Sequence, residues 1–107
     1  MTKNEVLAMV EKIRPQIYDE NLGKQFLDEL EGRIAVEVFG APAPVTPLPD
    51  NMPLRAPAPF DRLYWTYLVS MVDFIAGDNK SYAASHALFN EAYGAFARWY
   101  LRTGGHF

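Results

Sequence analysis

The chain has 107 residues, half of them hydrophobic and 21% charged, a composition typical of one folded domain rather than of a disordered chain. It contains no cysteine, which excludes disulfides, thiolate metal sites and cysteine catalysis. The formal net charge of −3, without a run of Lys and Arg, argues against nucleic acid as a primary partner. The first residues lead into an amphipathic segment, so we expect neither a signal peptide nor a membrane span, and we expect a cytosolic protein.

Two helices are predicted in the N-terminal part of the chain. Thr2 and Glu5 have the spacing of a capping box, which favours a helix start at this point. Pro15 is expected to end or kink that first helix, because proline lacks an N–H group and clashes with the preceding turn. A second helix is predicted over roughly residues 21–39, and Gly40 is placed to end it.

Residues 41–59 hold seven of the eight prolines and form a connector between two helical parts. Proline fixes φ and donates no backbone hydrogen bond, so we expect an extended linker or a strap across the surface of the fold. A polyproline II ligand is the alternative, although no P-x-x-P motif with a flanking basic residue stands out. One domain is therefore predicted, in four parts: N-terminal helices (1–40), connector (41–59), helical hairpin (60–103) and tail (104–107).

A third helix is predicted from Asp61, as its N-cap, to about Ala76. Within it, the stretch LYWTYLVSMVDFIAG has a single charged residue, Asp73. The polar side chains fall within an arc of about 80° on a helical projection: Arg62, Thr66, Ser70 and Asp73. We interpret Asp73 as solvated or held in a local salt bridge rather than catalytic. The remaining surface is apolar over roughly 240°, so one apolar face is expected to pack on the fourth helix and the other needs a second partner.

A fourth helix is predicted over roughly residues 81–103, after a tight turn at residues 77–79 that also caps it. The short turn makes helices three and four an antiparallel hairpin. Large side chains recur on both helices at heptad-type spacing, which predicts one continuous seam. The seam positions are Phe60, Tyr64, Tyr67, Met71 and Phe74 in helix three, and Tyr82, His86, Phe89, Tyr93, Phe96 and Tyr100 in helix four. The predicted fold is all-α, with four helices.

The back of the fourth helix carries small residues that would allow another backbone to approach closely. These are Ala83, Ala84, Ala87, Gly94 and Ala95. A helix from the N-terminal part of the same chain is the simplest partner for this face, and another subunit is the alternative.

No residue pattern points to a catalytic, cofactor or metal site. His86 lies among aromatic seam positions without a second histidine or a carboxylate at i±3 or i±4, so we interpret it as a core or edge histidine. His106 lies in a glycine-rich tail. The serines lack a nucleophile elbow and an evident acid–base relay. We therefore predict a protein that is not an enzyme; a small enzyme using His86 and nearby tyrosines is the least favoured alternative.

Three segments of the chain resemble a group of small prophage proteins encoded among head and tail morphogenesis genes, near the position of head–tail connector (adaptor) proteins. The segments are ELEGRIAVEVFG (29–40), PFDRLYWTYLVSMVDFIAGD (59–78) and ALFNEAYGAFARWYLRT (87–103). The resemblance implies a structural role, with helical subunits arranged in a ring at the capsid exit or docked onto one. It also implies the bacterial host cytoplasm or the virion as the location, and other phage structural proteins or further copies of the chain as partners.

These observations together predict a non-enzymatic assembly protein that acts through protein–protein contacts. Apolar and aromatic side chains on the two C-terminal helices are the predicted interface: Tyr64, Trp65, Met71, Val72 and Trp99. The alternative is a small helical binding or regulatory module that engages a peptide or a small ligand.

Overall fold

The computed structural model describes residues 1–15, 19–42 and 48–104. Within these ranges the chain forms four helices and no strand, which confirms the all-α prediction. The helices are α1 (Lys3–Ile13), α2 (Glu20–Glu37), α3 (Arg62–Ile75) and α4 (Asn79–Arg102). His106 and residues 43–47 of the proline-rich connector lie outside the described residues. Among the helices of the described ranges, none combines the length and the apolarity that crossing a membrane requires.

The helix ends in the N-terminal part follow local signals. The Thr2 side chain accepts a hydrogen bond from the Glu5 N–H at 3.3 Å, and the Glu5 carboxylate accepts one from the Thr2 N–H at 3.0 Å, which confirms the predicted capping box. Helix α1 ends two residues before Pro15, and the Asp19 carboxylate caps α2. After α2 the chain turns at Gly40, whose φ of 66° lies in the left-handed region that glycine adopts without strain.

The turn between α3 and α4 ends one helix and starts the next. Gly77 has a φ of 74°, and its N–H donates to the Phe74 carbonyl at 3.1 Å. The Asp78 N–H donates to the Asp73 carbonyl at 3.1 Å, which completes a Schellman motif. The Asp78 carboxylate then accepts the Ser81 N–H at 3.0 Å and caps α4. The predicted hairpin and its turn are confirmed.

The prediction that Asp61 caps α3 is wrong. Asp61 itself has a helical backbone, with φ −65° and ψ −11°, and its side chain makes no capping hydrogen bond. An N-cap side chain reaches its helix from an extended backbone, which Asp61 does not have. Its carboxylate instead lies 3.6 Å from the α-amino group of Met1.

Helix α3 is the central helix of the fold. It packs along its length against α4, and α1 and α2 pack on it as well. Both apolar faces of α3 are therefore covered within the same chain, except at its C-terminal end, where Phe74 and Ile75 are exposed. No Cα atom of α1 or α2 lies within 8 Å of one in α4. The N-terminal helices therefore do not cover the small-residue face of α4, although the sequence favoured one of them as the partner of this face.

The aromatic seam between α3 and α4 forms as predicted at three levels. The ring pairs and their centroid distances are Phe60 with Phe96 (6.0 Å), Tyr67 with Phe89 (5.0 Å) and Phe74 with Tyr82 (5.5 Å). Tyr64 departs from the seam, because its hydroxyl is directed toward α2 and the connector instead.

The polar arc of α3 is largely buried, so the expectation of a solvated Asp73 is wrong. Asp73 is 3% exposed and pairs with Arg14, a residue 59 positions away rather than a local partner. The hydroxyl of Thr66 donates to the Arg62 carbonyl at 2.8 Å, and the hydroxyl of Ser70 donates to the carbonyl of Tyr67 at 2.6 Å. Each of these three buried side chains therefore has a hydrogen-bond partner, either in the backbone of α3 or in an ion pair.

Residues 48–59 of the connector form a strap across the N-terminal helices. Leu54 and Ala56 are buried in the core. The Leu54 N–H donates to the Met1 carbonyl at 2.8 Å, and the buried Lys3 ammonium donates to the Leu48 carbonyl at 2.7 Å. Thr2 and Pro53 form an isolated antiparallel bridge. For this part of the connector, the interpretation as a strap is correct.

Candidate binding surface

Tyr64 is the centre of a buried junction that fastens the strap to α2 and α3. Its hydroxyl donates to Glu31 Oε1 at 2.5 Å and accepts the Ala56 N–H at 2.7 Å. The second oxygen of Glu31 accepts the backbone N–H and the guanidinium of Arg55, at 3.0 and 3.1 Å. Burial, together with the adjacent Glu31 carboxylate, raises the pKa of Tyr64 far above its usual range.

The prediction of Tyr64 as an interface residue is therefore wrong. The side chain is fully buried, and every polar partner of its hydroxyl belongs to the same chain. A saturated network of this kind stabilises the fold and presents nothing to a partner.

A polar cleft lies where the end of α1 meets α3 and the start of α4. It is lined in part by Arg14, Asp73, Asp78 and Ser81. The Asp73 carboxylate accepts two hydrogen bonds from Arg14 and one from the Ser85 hydroxyl at 2.9 Å. The hydrogen bond to Asp73 raises the pKa of the Arg14 guanidinium. Because its carboxylate is already bonded to two side chains, Asp73 joins helices here rather than acting as a base.

His86 takes its place in a row of rings on α4, not in the polar cleft. Its ring stacks on Tyr82 with centroids 5.1 Å apart and lies 6.0 Å from the ring of Phe89. Within residues 1–15, 19–42 and 48–104, no group of three or more His, Asp or Glu side chains could hold a metal ion. The surroundings of His86 are those of an edge residue packed between aromatic rings.

The same row continues to a small charged cluster that joins α4 to the end of α2. The guanidinium of Arg33 lies 4.6 Å from the ring centroid of Tyr93, and the Tyr93 hydroxyl donates to Glu37 at 2.7 Å. Partial burial, with that hydrogen bond, raises the pKa of Tyr93 to about 12. All three side chains use one another as partners, so this cluster links two helices at the surface.

An apolar pocket of about 190 Å³ lies between the start of α2 and the end of α3. Its apolar lining consists of Leu22, Phe26, Leu68, Val72 and Ile75, and Gly23 and Asp19 complete its wall. The first turns of α2 supply one side, while Leu68, Val72 and Ile75, spaced by four and three residues, supply the other. We call this cavity the apolar pocket.

Two large apolar side chains at the end of α3 are exposed, and one of them, Ile75, lines the apolar pocket. Phe74 is 61% exposed and Ile75 is 50% exposed. Val72, between the apolar pocket and the polar cleft, lines both. We call Val72, Phe74 and Ile75 the α3-end surface. Of these three, only Val72 was predicted as an interface residue.

The remaining predicted interface residues do not form one surface. Trp65, Met71, Val72 and Trp99 are each partly buried. Trp65 precedes Val72 by two helical turns on the same side of α3. Trp99 packs on Phe60 at the opposite end of the hairpin, with ring centroids 4.8 Å apart. The structure therefore separates Trp99 from Val72 by most of the length of α3.

Comparisons of the chain with protein-family models, with curated proteins and with solved structures gave no match.

Proposed function

We propose that the chain is a non-enzymatic helical assembly protein and that it acts through protein–protein contacts made at the α3-end surface. The observation that supports this proposal is the exposure of Phe74 and Ile75 at the end of α3, where Ile75 also lines the apolar pocket. Large apolar side chains grouped on a surface, next to a cavity that can receive a partner's side chain, are typical of protein interaction sites.

The buried ionisable groups favour a structural role over a reactive one. Glu31 is bonded to Tyr64 and Arg55, Asp73 is bonded to Arg14, and the Lys3 ammonium lies 2.5 Å from Asp28. Each of these groups is occupied by a partner from the same chain that holds two elements together. Such pairs make a rigid subunit, which suits a protein that docks onto others.

We propose a phage particle or its assembly as the setting. The support is the resemblance of residues 59–78 and 87–103 to small prophage proteins encoded among head and tail genes. A compact helical subunit with one apolar end could dock on a ring at the capsid exit, or join its neighbours in such a ring, through that end.

A small-ligand binding module is the second candidate, and the apolar pocket favours it. A cavity of roughly 150 Å³ with apolar walls is large enough to admit benzene, so a pocket of about 190 Å³ has room for a single ring. This candidate predicts that a free aromatic compound binds the pocket with an affinity similar to that of a protein segment.

The identity of the neighbouring genes tests the phage setting. Capsid, portal or tail genes on either side are the expected result, and a locus without any phage gene would contradict the setting.

Light scattering over a concentration series tests self-assembly in the same protein. Assembly into a ring by the chain alone predicts a mass that rises with concentration, whereas docking on another protein predicts a monomer that binds a neighbouring gene product.

A further inference from the structure

We propose that the apolar pocket receives one aromatic or leucine side chain from a partner protein segment that carries lysine or arginine beside that side chain. This inference rests on the proposed function, because it specifies the chemistry of the partner that binds at the same surface.

The volume of the pocket favours a single side chain. Pockets for drug-sized ligands usually measure about 300–1,000 Å³, whereas this one measures about 190 Å³. It is only somewhat larger than the roughly 150 Å³ cavity that accepts a benzene ring. One ring or one branched aliphatic side chain is therefore the size of group that fits.

The lining of the pocket requires that the inserted group be apolar. Its walls are mainly the hydrocarbon side chains of Leu22 and Phe26 from α2 and of Leu68, Val72 and Ile75 from α3. A polar group placed among them would lose its hydrogen bonds to water without replacement. An aromatic or leucine side chain loses none, and its burial supplies the main part of the binding free energy.

The charge at the mouth of the pocket selects a basic neighbour for that side chain. Asp19 lines the pocket, and Glu20, which follows it, is 64% exposed. The nearest basic residue on α2, Lys24, lies 2.6 Å from Asp50 and only 3.7 Å from Glu20, so Asp50 is its closer partner. The mouth therefore carries an excess of negative charge, which attracts lysine or arginine.

The same charge disfavours a second copy of the chain as the occupant. A symmetric dimer formed through this pocket would bring Asp19 and Glu20 of both copies toward one another. Each copy also carries a net charge of −3. A basic partner gains from this field, and a second copy is repelled by it.

Short peptides of defined charge test the proposal on the complete, ¹⁵N-labelled chain. The probes are blocked pentapeptides that differ only in their middle three residues: Lys-Phe-Lys, Glu-Phe-Glu and Lys-Ala-Lys. Titration by NMR is expected to shift the amide signals of Leu22, Val72 and Ile75. The Lys-Phe-Lys peptide is expected to bind about fivefold tighter than Glu-Phe-Glu, the effect of two exposed ion pairs, and at least about tenfold tighter than Lys-Ala-Lys, which lacks the ring.

Two variants separate the contributions of the cavity and of the charge. Val72→Trp fills the pocket and is expected to abolish the shifts while circular dichroism shows an unchanged helix content. Asp19→Asn keeps a good helix cap and removes one negative charge, so it is expected to reduce the preference for Lys-Phe-Lys over Glu-Phe-Glu by about twofold. Leu88→Ser, on α4 outside the lining, is the matched control and is expected to bind like the unaltered chain.

Several results would overturn the proposal. These are equal binding of the three peptides, shifts confined to other residues, and shifts at the pocket that depend on chain concentration without peptide, which would identify a second copy as the occupant. Benzyl alcohol binding as tightly as the Lys-Phe-Lys peptide would identify a small-ligand pocket instead. If the chain still binds a neighbouring gene product in any of these cases, the proposed function stands and only the partner chemistry is wrong.

Discussion

The guanidinium of Arg14 donates two hydrogen bonds to the carboxylate of Asp73, from Nε to Oδ1 at 2.8 Å and from Nη2 to Oδ2 at 3.2 Å. The same carboxylate accepts the hydroxyl of Ser85 at 2.9 Å. One buried acidic side chain on α3 therefore connects the C-terminal end of α1 with α4, two elements that do not otherwise approach closely. Removing either charge leaves the other without compensation.

Arg14→Ala is expected to lower the free energy of unfolding by about 2–3 kcal/mol, because it leaves the Asp73 carboxylate buried without a counter-charge. Urea unfolding followed by circular dichroism measures this change. Arg62→Ala removes an exposed arginine at the start of α3 and is the control, with an expected change within about 0.5 kcal/mol. Equal stability of the two variants would contradict a structural role for the ion pair.

Tyr64→Phe is expected to lower the free energy of unfolding by about 2 kcal/mol. The change removes the hydroxyl alone, which leaves the buried Ala56 N–H without its acceptor and takes one donor from Glu31. Tyr93→Phe is the matched control, because its hydroxyl bonds to Glu37 at the surface, and its expected cost is about 0.5 kcal/mol. Urea unfolding of both variants in one buffer compares them, and a larger cost at Tyr93 would be the opposite of the expected order.

Alkaline pH is expected to destabilise the chain through Tyr64. Burial raises the pKa of Tyr64 above its ordinary value of about 10, so the folded chain holds this proton more tightly than the unfolded chain does. The resulting stabilisation is complete below pH 10 and is lost as the pH rises above it. Its loss amounts to about 1.4 kcal/mol per pH unit for one group.

Urea unfolding at pH 9, 10 and 11 measures this effect. The unaltered chain is expected to lose more stability between pH 10 and pH 11 than Tyr64→Phe does. Tyr93→Phe is expected to remove a similar share of the loss over this interval, because a tyrosine whose pKa is raised to about 12 also keeps its proton in the folded chain at pH 11. If the free energy of unfolding falls equally with pH in the unaltered chain and in Tyr64→Phe, the pKa of Tyr64 is not raised in the folded chain.

Local sequence signals predicted the helix ends well where the deciding atoms lie within a few residues. The capping box of Thr2 and Glu5 and the Gly77–Asp78 turn satisfy backbone groups one turn away, so short motifs identify them. Asp61 is the exception. The residues before it already form turns, which place its own backbone in the helical region.

The buried polar contacts could not be predicted in the same way. Asp73 pairs with Arg14 across 59 positions, and Tyr64 bonds to Glu31 across 33. Heptad spacing placed Tyr64 in the seam, but spacing alone does not reveal a carboxylate that tertiary packing brings to its hydroxyl. The apolar pocket also depends on packing, because its two walls come from α2 and α3. Phe74 has the spacing of a seam residue and packs on Tyr82. Its side chain is nevertheless exposed, because the seam between α3 and α4 ends at this pair.

Two glycine substitutions are expected to change stability in opposite directions. Gly77→Ala is expected to cost about 1 kcal/mol, because a φ of 74° is strained for alanine even though no atom lies near the added Cβ. Gly94→Ala, inside α4, is expected to stabilise the chain by about 0.5 kcal/mol, since the added Cβ meets only the mobile end of Arg98 at 3.2 Å. Thermal unfolding of the two variants measures both effects. A gain in stability from Gly77→Ala would contradict the left-handed turn at that residue.

The most direct test of the α3-end surface is a calorimetric titration of the chain with the purified products of its neighbouring genes. We expect the unaltered chain to bind one of them, and Phe74→Ser to weaken that binding at least about tenfold, because it removes an exposed apolar contact without disturbing the core. Leu101→Ser is the control, since Leu101 is 74% exposed at the opposite end of the hairpin, and its affinity is expected to be unchanged. Unaltered affinity of Phe74→Ser, or no binding of the unaltered chain to any neighbouring product, would contradict the assignment of this surface as the contact site.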